Sequence, residues 1–131
     1  MTYEFEQSVT LPAAPADIYD AWLSSSGHTA MTGGAATVDP LEGGAFTAWD
    51  GYIWGRNLAL EPHRRILQSW RTSEFADTDA DSTIEVVLEP VEDGTLLRLT
   101  HSNIPEGHLG YEDGGWRSQY FEPMIAYFGN R

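Results

Sequence analysis

Residues 42–71 read "EGGAFTAWDGYIWGRNLALEPHRRILQSWR", and this stretch decides the fold. Its glycines suit either a phosphate-binding loop or bends between β-strands. A Walker loop requires a Lys, which the chain lacks, and a dinucleotide-binding loop requires Gly-x-Gly-x-x-Gly, which no Gly-Gly pair of the chain provides. Apolar and polar residues alternate between the turn sequences Gly43-Gly44, Asp50-Gly51 and Glu61-Pro62. The stretch therefore predicts successive antiparallel strands and not a phosphate site.

The same period of two continues on both sides of this stretch. Near the N-terminus, "YEFEQSVTL" at 3–11 alternates as a strand with one wet face. Short turns such as Asp93-Gly94 join the later strands, so neighbouring strands are expected to run antiparallel. Beyond the first strand, strands are predicted near Ala35–Val38, Ala45–Trp49, Ile53–Glu61, Arg65–Thr72, Ser82–Pro90 and Thr95–Asn103.

Two regions have helical spacing instead. In "APADIYDAWLSSSG" at 14–27, Pro15 suits a first helical turn, and the serines end the helix. A second short helix is predicted over His28–Met31. Near the C-terminus, "WRSQYFEPMIAYFG" at 116–129 carries an aromatic stripe at helical spacing. This predicts a long amphipathic helix that Pro123 interrupts, because proline removes a backbone donor.

The bulk composition indicates a single globular domain over residues 1–131. Asp and Glu number 20 against 7 basic residues, for a formal net charge of -13. Nucleic acid and anionic membranes bind clustered positive charge, so we predict neither as a partner. The chain has no Cys, no basic and apolar leader, and no apolar run near the roughly 20 residues that span a bilayer. We therefore expect a cytoplasmic protein without disulfides.

Five motifs, in this order along the chain, resemble one family. They are "APADIYDAW" at 14–22, "EGGAF" at 42–46, "DGYIWGRNLALEPHRRILQSWR" at 50–71, "GTLLRLTHSNIP" at 94–105 and "GGWRSQYFEPMIAYF" at 114–128. The chain resembles the START/Bet v 1-like helix-grip superfamily, and within it the branch named for homology to the activator of the heat-shock protein 90 ATPase. The resemblance implies an α+β fold in which a curved antiparallel β-sheet wraps around a long C-terminal α-helix, with two short helices after the first strand.

The fold that this resemblance implies has a cavity between the sheet and the long helix. Strand alternation and helical spacing then indicate which side chains face it. His101, Gln68 and Tyr120, with Arg56 nearby, are expected to form a polar end that orients a guest in an otherwise apolar pocket. The predicted cavity residues are Trp22, Phe46, Trp54, Arg56, Leu58, Gln68, Trp70, Val86, Leu99, His101, Trp116, Tyr120 and Met124.

The sequence carries no motif for catalysis, metal binding or a cofactor. His101 ends an apolar row, where a histidine is more often a hydrogen-bonded core residue than an acid or base. "GWRSQ" is not a nucleophile elbow, and His28, His63 and His108 have no His four residues away on a helix. We therefore predict no catalytic residue, no metal ligand and no cofactor.

Three hypotheses for function follow. The first is a binding protein, not an enzyme, whose cavity holds a small hydrophobic or aromatic molecule. The second is an interaction module linked to the heat-shock protein 90 ATPase, which the name of the branch suggests and which makes a chaperone a possible partner. The third is a cyclase- or hydrolase-type enzyme that uses His101 as acid or base.

Overall fold

The computed structural model describes residues 2–105 and 115–129. Its elements follow the predicted order of one strand, two short helices, further strands and a C-terminal helix. They are β1 (Thr2–Leu11), α1 (Pro15–Trp22), α2 (Ser25–Thr32), β2 (Thr37–Val38), β3 (Ala45–Ala48), β4 (Ile53–Glu61), β5 (Arg65–Thr72), β6 (Ser82–Val91), β7 (Gly94–Pro105) and α3 (Glu122–Gly129). The loop that the sequence predicts between the last strand and the last helix falls mainly on residues 106–114, outside the described residues.

The seven strands form one curved antiparallel sheet in the order β1-β7-β6-β5-β4-β3-β2. The first strand therefore pairs with the last, and the others follow one another as a meander. The helices cover one face of the sheet, and the core between them includes the fully buried Ile18, Leu97 and Met124. The predicted helix-grip architecture is confirmed.

Local sequence explains where the two early helices begin and end. Pro15 opens α1. Ser24 caps α2, because its hydroxyl oxygen accepts a 3.1 Å hydrogen bond from the Gly27 N–H. Gly33 ends α2 in the left-handed conformation, with φ of 88°. The second helix is longer than the predicted His28–Met31, because the serines that resemble a break form its cap and first turn.

Pro123 shapes the C-terminal helix in the way its missing N–H predicts. The residues before it, Arg117–Phe121, form a π-helical segment that continues directly into α3. At the junction, the Glu122 N–H donates to the Arg117 carbonyl, five residues earlier. A π-helical turn is a common way to accommodate a break in the regular hydrogen-bond ladder. The helix therefore continues past the proline with altered hydrogen bonding.

Trp54, Arg56 and Leu58 are predicted to face inward, and this prediction is wrong. The exposed fraction of Trp54 is 39% and that of Leu58 is 51%, and Arg56 is exposed as well. The buried residues of this part of β4 are Ile53 and Asn57. The three side chains therefore lie on the outer face of the sheet, away from the helices.

The inner row of β4 cannot be recognised from its hydrophobicity, because it contains a glycine and an asparagine. Gly55 lies opposite the buried Phe46. A Cβ atom at Gly55 would lie 2.0 Å from the Ser69 carbonyl oxygen, so the close approach of β5 requires glycine here. With Asn57 as the next inner residue, the outer row is the more apolar of the two, which is why alternation predicts the wrong face.

A β-bulge adds to this error. Asn57 pairs with Gln68, whereas Ala59 pairs with Leu67, so Leu58 is an extra residue on β4. The bulge shifts the alternation by one position. Leu60 therefore lies on the inner face and packs against the core, although Trp54, Arg56 and Leu58 in the same alternating row do not.

Candidate functional site

Most residues predicted to line a cavity do lie between the sheet and the helices. They come from α1, the sheet strands and the C-terminal helix, and all are buried. This buried group comprises Trp22, Phe46, Gln68, Trp70, Val86, Leu99, His101, Trp116, Tyr120 and Met124. Their burial agrees with the predicted inward orientation, and their role in lining a ligand cavity stays a prediction, whereas Trp54, Arg56 and Leu58 lie on the opposite face of the sheet.

Aromatic rings of this group pack directly on one another. Trp22 stacks on Tyr120 with ring centroids 5.2 Å apart, and Tyr120 lies 4.8 Å from Trp116. Trp116 in turn lies 5.7 Å from Trp70, whose ring meets His101 edge-on at 4.7 Å. Such contacts add to the burial of large apolar surfaces. The rings thus form a continuous layer between β5, β7 and the helices.

His101 lies within this layer, and the direction of its hydrogen bonds is determined by its neighbours. The Trp116 Nε1–H can only donate, so it donates to His101 Nδ1 at 3.1 Å. The proton of the neutral ring therefore resides on Nε2, which donates to the Ser82 hydroxyl at 2.9 Å. The Ser82 hydroxyl in turn donates a hydrogen bond to the Trp70 carbonyl at 2.6 Å. Burial lowers the pKa of His101 to about 3, so the ring is neutral at physiological pH.

This order of donors argues against His101 as the base that activates Ser82. Nucleophilic catalysis requires a histidine that accepts the proton of a serine. Here the His101 Nε2–H donates to Ser82 instead, and the other ring nitrogen is occupied by Trp116. The Ser82–His101 pair therefore has the contact of a catalytic dyad but not its proton arrangement.

His28 belongs to a second buried chain of hydrogen bonds that sequence patterns did not indicate. Its Nδ1–H donates to the Trp22 carbonyl at 2.9 Å, since a carbonyl can only accept. Nε2 is therefore the acceptor for the Tyr120 hydroxyl at 2.8 Å. Burial lowers the pKa of His28, partly offset by the bond to Trp22, and burial raises the pKa of Tyr120. The sequence places His28 on a short helix, but no local pattern indicates that its side chain faces the core.

Gln68 extends this chain across the sheet. Its Oε1 accepts the Trp22 Nε1–H at 3.1 Å, and its Nε2–H donates to Asn57 Oδ1 at 2.8 Å. Asn57 then donates to the carbonyls of Asp39 and Leu41 at 2.7 and 3.0 Å. Asn57 is absent from the predicted site, because a polar residue on a strand is expected to face water. The complete chain of hydrogen bonds therefore links the C-terminal helix to the segment before β3.

These two chains of hydrogen bonds include the polar side chains of His101, Gln68 and Tyr120, which were expected to orient a bound ligand. His101, Gln68 and Tyr120 each bond to a protein partner. Within residues 2–105 and 115–129, Trp49 Nε1 is the one buried side-chain nitrogen or oxygen without a hydrogen-bond partner. A polar guest at His101, Gln68 or Tyr120 would therefore have to displace existing hydrogen bonds, each of which is costly to break in a dry interior.

An open groove lies on the helical side of the molecule, apart from the aromatic layer. It has a volume of about 440 Å³ and lies between α2 and the C-terminal helix. Its lining residues are Ala30, Met31, Thr32, Gly33, Pro123, Ala126 and Tyr127. None of the residues predicted to face a cavity belongs to this lining.

Metal ligation and membrane insertion find no support in the described residues. Within them, no three His, Asp or Glu side chains come together in a way that could hold a metal ion. The helices in the same part of the chain are all too short or too polar to cross a membrane. The recognisable features are thus the packed aromatic layer, the two hydrogen-bonded chains, the open groove and the exposed residues of β4.

Comparisons with known proteins agree with this architecture. The human activator of 90 kDa heat shock protein ATPase homolog 1 is 26% identical over 120 residues, which make up 92% of this chain and 35% of the human protein. The chain spans about a third of the length of the curated relatives it matches. Among solved structures, Ara h 8.0201 shares the fold over 100% of both chains, with 14% identity and a TM-score of 0.75.

A second solved structure is more similar in sequence. It is that of an HSP90 activator from Plasmodium falciparum, which matches with a TM-score of 0.86 and 25% identity, over 97% of this chain and 96% of the other. The family model described as "Activator of Hsp90 ATPase homolog 1-like protein" matches residues 12–129. The chain therefore belongs to the Activator of Hsp90 ATPase homolog 1-like family.

Proposed function

We propose that this chain is a protein-binding domain that acts on the ATPase of an Hsp90-class chaperone. The observation that carries the proposal is the match to the Plasmodium falciparum HSP90 activator over nearly the whole of both chains. The human relative, named as an activator of the same ATPase, supports it. The matched region of that relative is only 35% of its length, so the activity is proposed here for a single domain.

The packing of the interior also supports a protein partner. The aromatic rings contact one another, and the polar groups among them are hydrogen-bonded within the chain. An interior of this kind stabilises the fold and leaves recognition to exposed surfaces. Exposed aromatic and Arg side chains are typical of protein interfaces, and the outer face of the sheet carries them at Trp54 and Arg56.

The test is the ATPase rate of the Hsp90-class chaperone from the organism that encodes this chain, followed by phosphate release. We expect the rate to rise with added protein and to saturate. An unrelated acidic protein at the same concentration controls for effects of charge. An unchanged rate, together with no heat of binding in isothermal titration calorimetry, would contradict the proposal.

Binding of a small hydrophobic or aromatic molecule is a second candidate function. The groove between α2 and the C-terminal helix favours it, because its volume of about 440 Å³ falls within the range of roughly 300–1,000 Å³ common for ligand sites. Met31, Pro123 and Tyr127 give it an apolar and aromatic lining. Such a molecule would bind beside the aromatic layer and leave its hydrogen bonds intact.

Thermal unfolding with indole, naphthalene and dodecanoate as probes tests this second function. A ligand that binds only the folded state raises the Tm. We expect at least one probe to raise the Tm of the wild-type protein, and we expect the rise to be absent from Ala126→Trp, whose larger side chain fills the exposed groove. No change with any probe would argue against the groove as a binding site.

The cytoplasm is the location that fits the proposed partner. A chain without Cys suits a reducing compartment. Cell fractionation with an antibody against the protein tests this, and the expected result is recovery in the soluble fraction together with the chaperone.

A further inference from the structure

Large exposed hydrophobic side chains are concentrated around one strand. Within the described residues they are Leu41, Tyr52, Trp54, Leu58, Val91 and Ile125. Trp54 and Leu58 belong to β4, and Tyr52 directly precedes it. Leu41, with an exposed fraction of 66%, is next to β4 because its carbonyl oxygen accepts a hydrogen bond from Asn57. Only Val91 and Ile125 lie elsewhere.

Trp54, Arg56 and Leu58 form a row on the outer face of the sheet, which we call the β4 stripe. Side chains two residues apart on a strand point the same way and are about 7 Å apart, so the stripe is about 13 Å long. Its cation lies between an aromatic and an aliphatic side chain. On the neighbouring strands, Thr47 and Arg71 pair with Trp54.

Arg56 differs from the other Arg residues of the outer face. Its Nη1 donates to the Gly43 carbonyl at 3.0 Å, and no carboxylate of the described residues lies within 4.0 Å of its guanidinium. Arg65 pairs with Glu85 at 2.6 Å, and Arg71 pairs with Asp81 at 3.1 Å. Among the described Arg residues, Arg56 and Arg117 have no described carboxylate within 4.0 Å of the guanidinium, and of these two Arg56 is the one that lies on the sheet.

The stripe does little for the fold itself. Of the inner residues of the same strand, Ile53 packs in the core and Asn57 is buried and hydrogen-bonded to Gln68. Trp54 and Leu58 of the stripe are instead partly exposed to solvent. Monomeric proteins seldom group exposed apolar side chains without an interaction to use them. Trp and Arg are also the residues that contribute most to binding at protein interfaces.

We propose that the β4 stripe is the docking surface for a protein segment that presents a carboxylate between two apolar side chains. The carboxylate pairs with Arg56, and the apolar side chains cover Trp54 and Leu58. Charge complementarity argues for this occupant, because the stripe offers an unpaired cation on a surface that otherwise repels acidic segments. The inference rests on the proposed function, with the Hsp90-class chaperone as the partner.

The experiment measures the Kd of the chaperone for single variants of the full chain. Trp54→Ala and Arg56→Glu change the stripe, while Val91→Ala and Arg98→Glu change an exposed apolar residue and an Arg elsewhere. We expect each stripe variant to weaken binding about tenfold or more, and each control about twofold or less. Raising the salt concentration is expected to weaken the wild-type complex more than the Arg56→Glu complex.

Each outcome is distinguishable. If the wild-type protein binds the chaperone and the stripe variants bind as tightly as the controls, the stripe is not the docking surface, and the proposed function stands. If the wild-type protein does not bind the chaperone, the proposed function fails and this inference fails with it. Circular dichroism verifies that each variant is folded, and Leu58→Ser provides an independent third variant if Trp54→Ala is not.

Discussion

The two faces of β4 handle polar groups in opposite ways. On the inner face, Asn57 is buried, and its side-chain amide bonds to Gln68 and to two backbone carbonyls. On the outer face, Arg56 is exposed, and its guanidinium bonds to a single carbonyl among the described residues. The apolar side chains of Trp54 and Leu58 also lie on this outer, solvent-facing side and not on the inner one. The contrast shows that polarity alone does not tell which face is buried, since a polar group with enough partners is stable inside.

The largest effect is expected from removing a Trp of the inner layer. Trp22 is 1% exposed, stacks on Tyr120 and donates to Gln68. Trp22→Ala should lower the free energy of unfolding by about 3–5 kcal/mol, because a large cavity replaces the ring. Urea denaturation measures this. Trp54→Ala is the matched control on the outer face and should cost less than about 1 kcal/mol; equal losses would contradict the contrast.

Breaking the inner chain of hydrogen bonds should cost somewhat less. Gln68→Met keeps the side-chain volume but leaves the Trp22 N–H and the Asn57 amide oxygen without their partner. We expect a loss of about 2–4 kcal/mol in urea denaturation, because two buried polar groups lose a hydrogen bond. The double variant Gln68→Met, Asn57→Leu should lose less than the sum of the two single variants. Strict additivity would mean that the two side chains do not interact.

Stability should also depend on pH through the buried histidines. The pKa of His101 is about 3 in the folded protein, against the ordinary histidine pKa of 6.5 expected in the unfolded chain, so between these values the unfolded chain binds a proton that the folded chain does not. Stability is therefore complete above pH 6.5 and falls by about 1.4 kcal/mol per pH unit below it. From pH 7 to pH 5 the loss from His101 is about 2 kcal/mol, and the lowered pKa of His28 adds to it in the same direction.

His101→Gln isolates this contribution. A glutamine can accept from Trp116 and donate to Ser82 as the neutral histidine does, but it does not ionise. Urea denaturation at pH 7 and pH 5 should show that the loss of stability between these values is about 2 kcal/mol smaller in the variant. The free energy of unfolding of each protein at pH 7 is the reference, so that any destabilisation by the substitution that does not depend on pH cancels. The same loss in both proteins would contradict a neutral, buried His101.

The smallest effect is expected from an ion pair on the outer face. Arg98 and Glu89 are 3.4 Å apart, and both side chains are about half exposed. Arg98→Ala should lower the free energy of unfolding by less than about 1 kcal/mol, because water and salt screen exposed charges. Denaturation at low and high salt measures this, with Gln68→Met as the inner-face comparison. A loss as large as that of Gln68→Met would mean that the outer face contributes as much to stability as the inner one.

Sequence patterns predicted the inner rows of the regular strands well and those of β4 poorly. On β6 and β7, Val86 and Leu99 are buried as predicted, and Ile84 and Leu97 in the same alternating rows are buried with them. On β4, a glycine and an asparagine occupy inner positions and a bulge at Leu58 shifts the alternation, so the hydrophobic signal belongs to the outer row. Alternation identifies a buried face only where apolar residues fill it.

The candidate site shows the same difference between features that the sequence predicts and features that it does not. That His101, Gln68 and Tyr120 face inward could be predicted from spacing, whereas their partners could not. Trp22 bonds to Gln68, 46 residues away, and His28 bonds to Tyr120, 92 residues away. Asn57 and His28 were missed for this reason, since neither has a local pattern that indicates a buried partner.

The sequence by itself determined the order of strands and helices, the antiparallel sheet and the acidic surface, because turn residues, periodicity and charge act locally or by summation. Only the tertiary structure decided which polar residues are buried, which ring nitrogen of His28 and of His101 carries the proton, and that Trp54 and Arg56 face outward. These features depend on contacts between residues far apart in the chain, and a buried polar group is stable only where the folded chain brings it a partner.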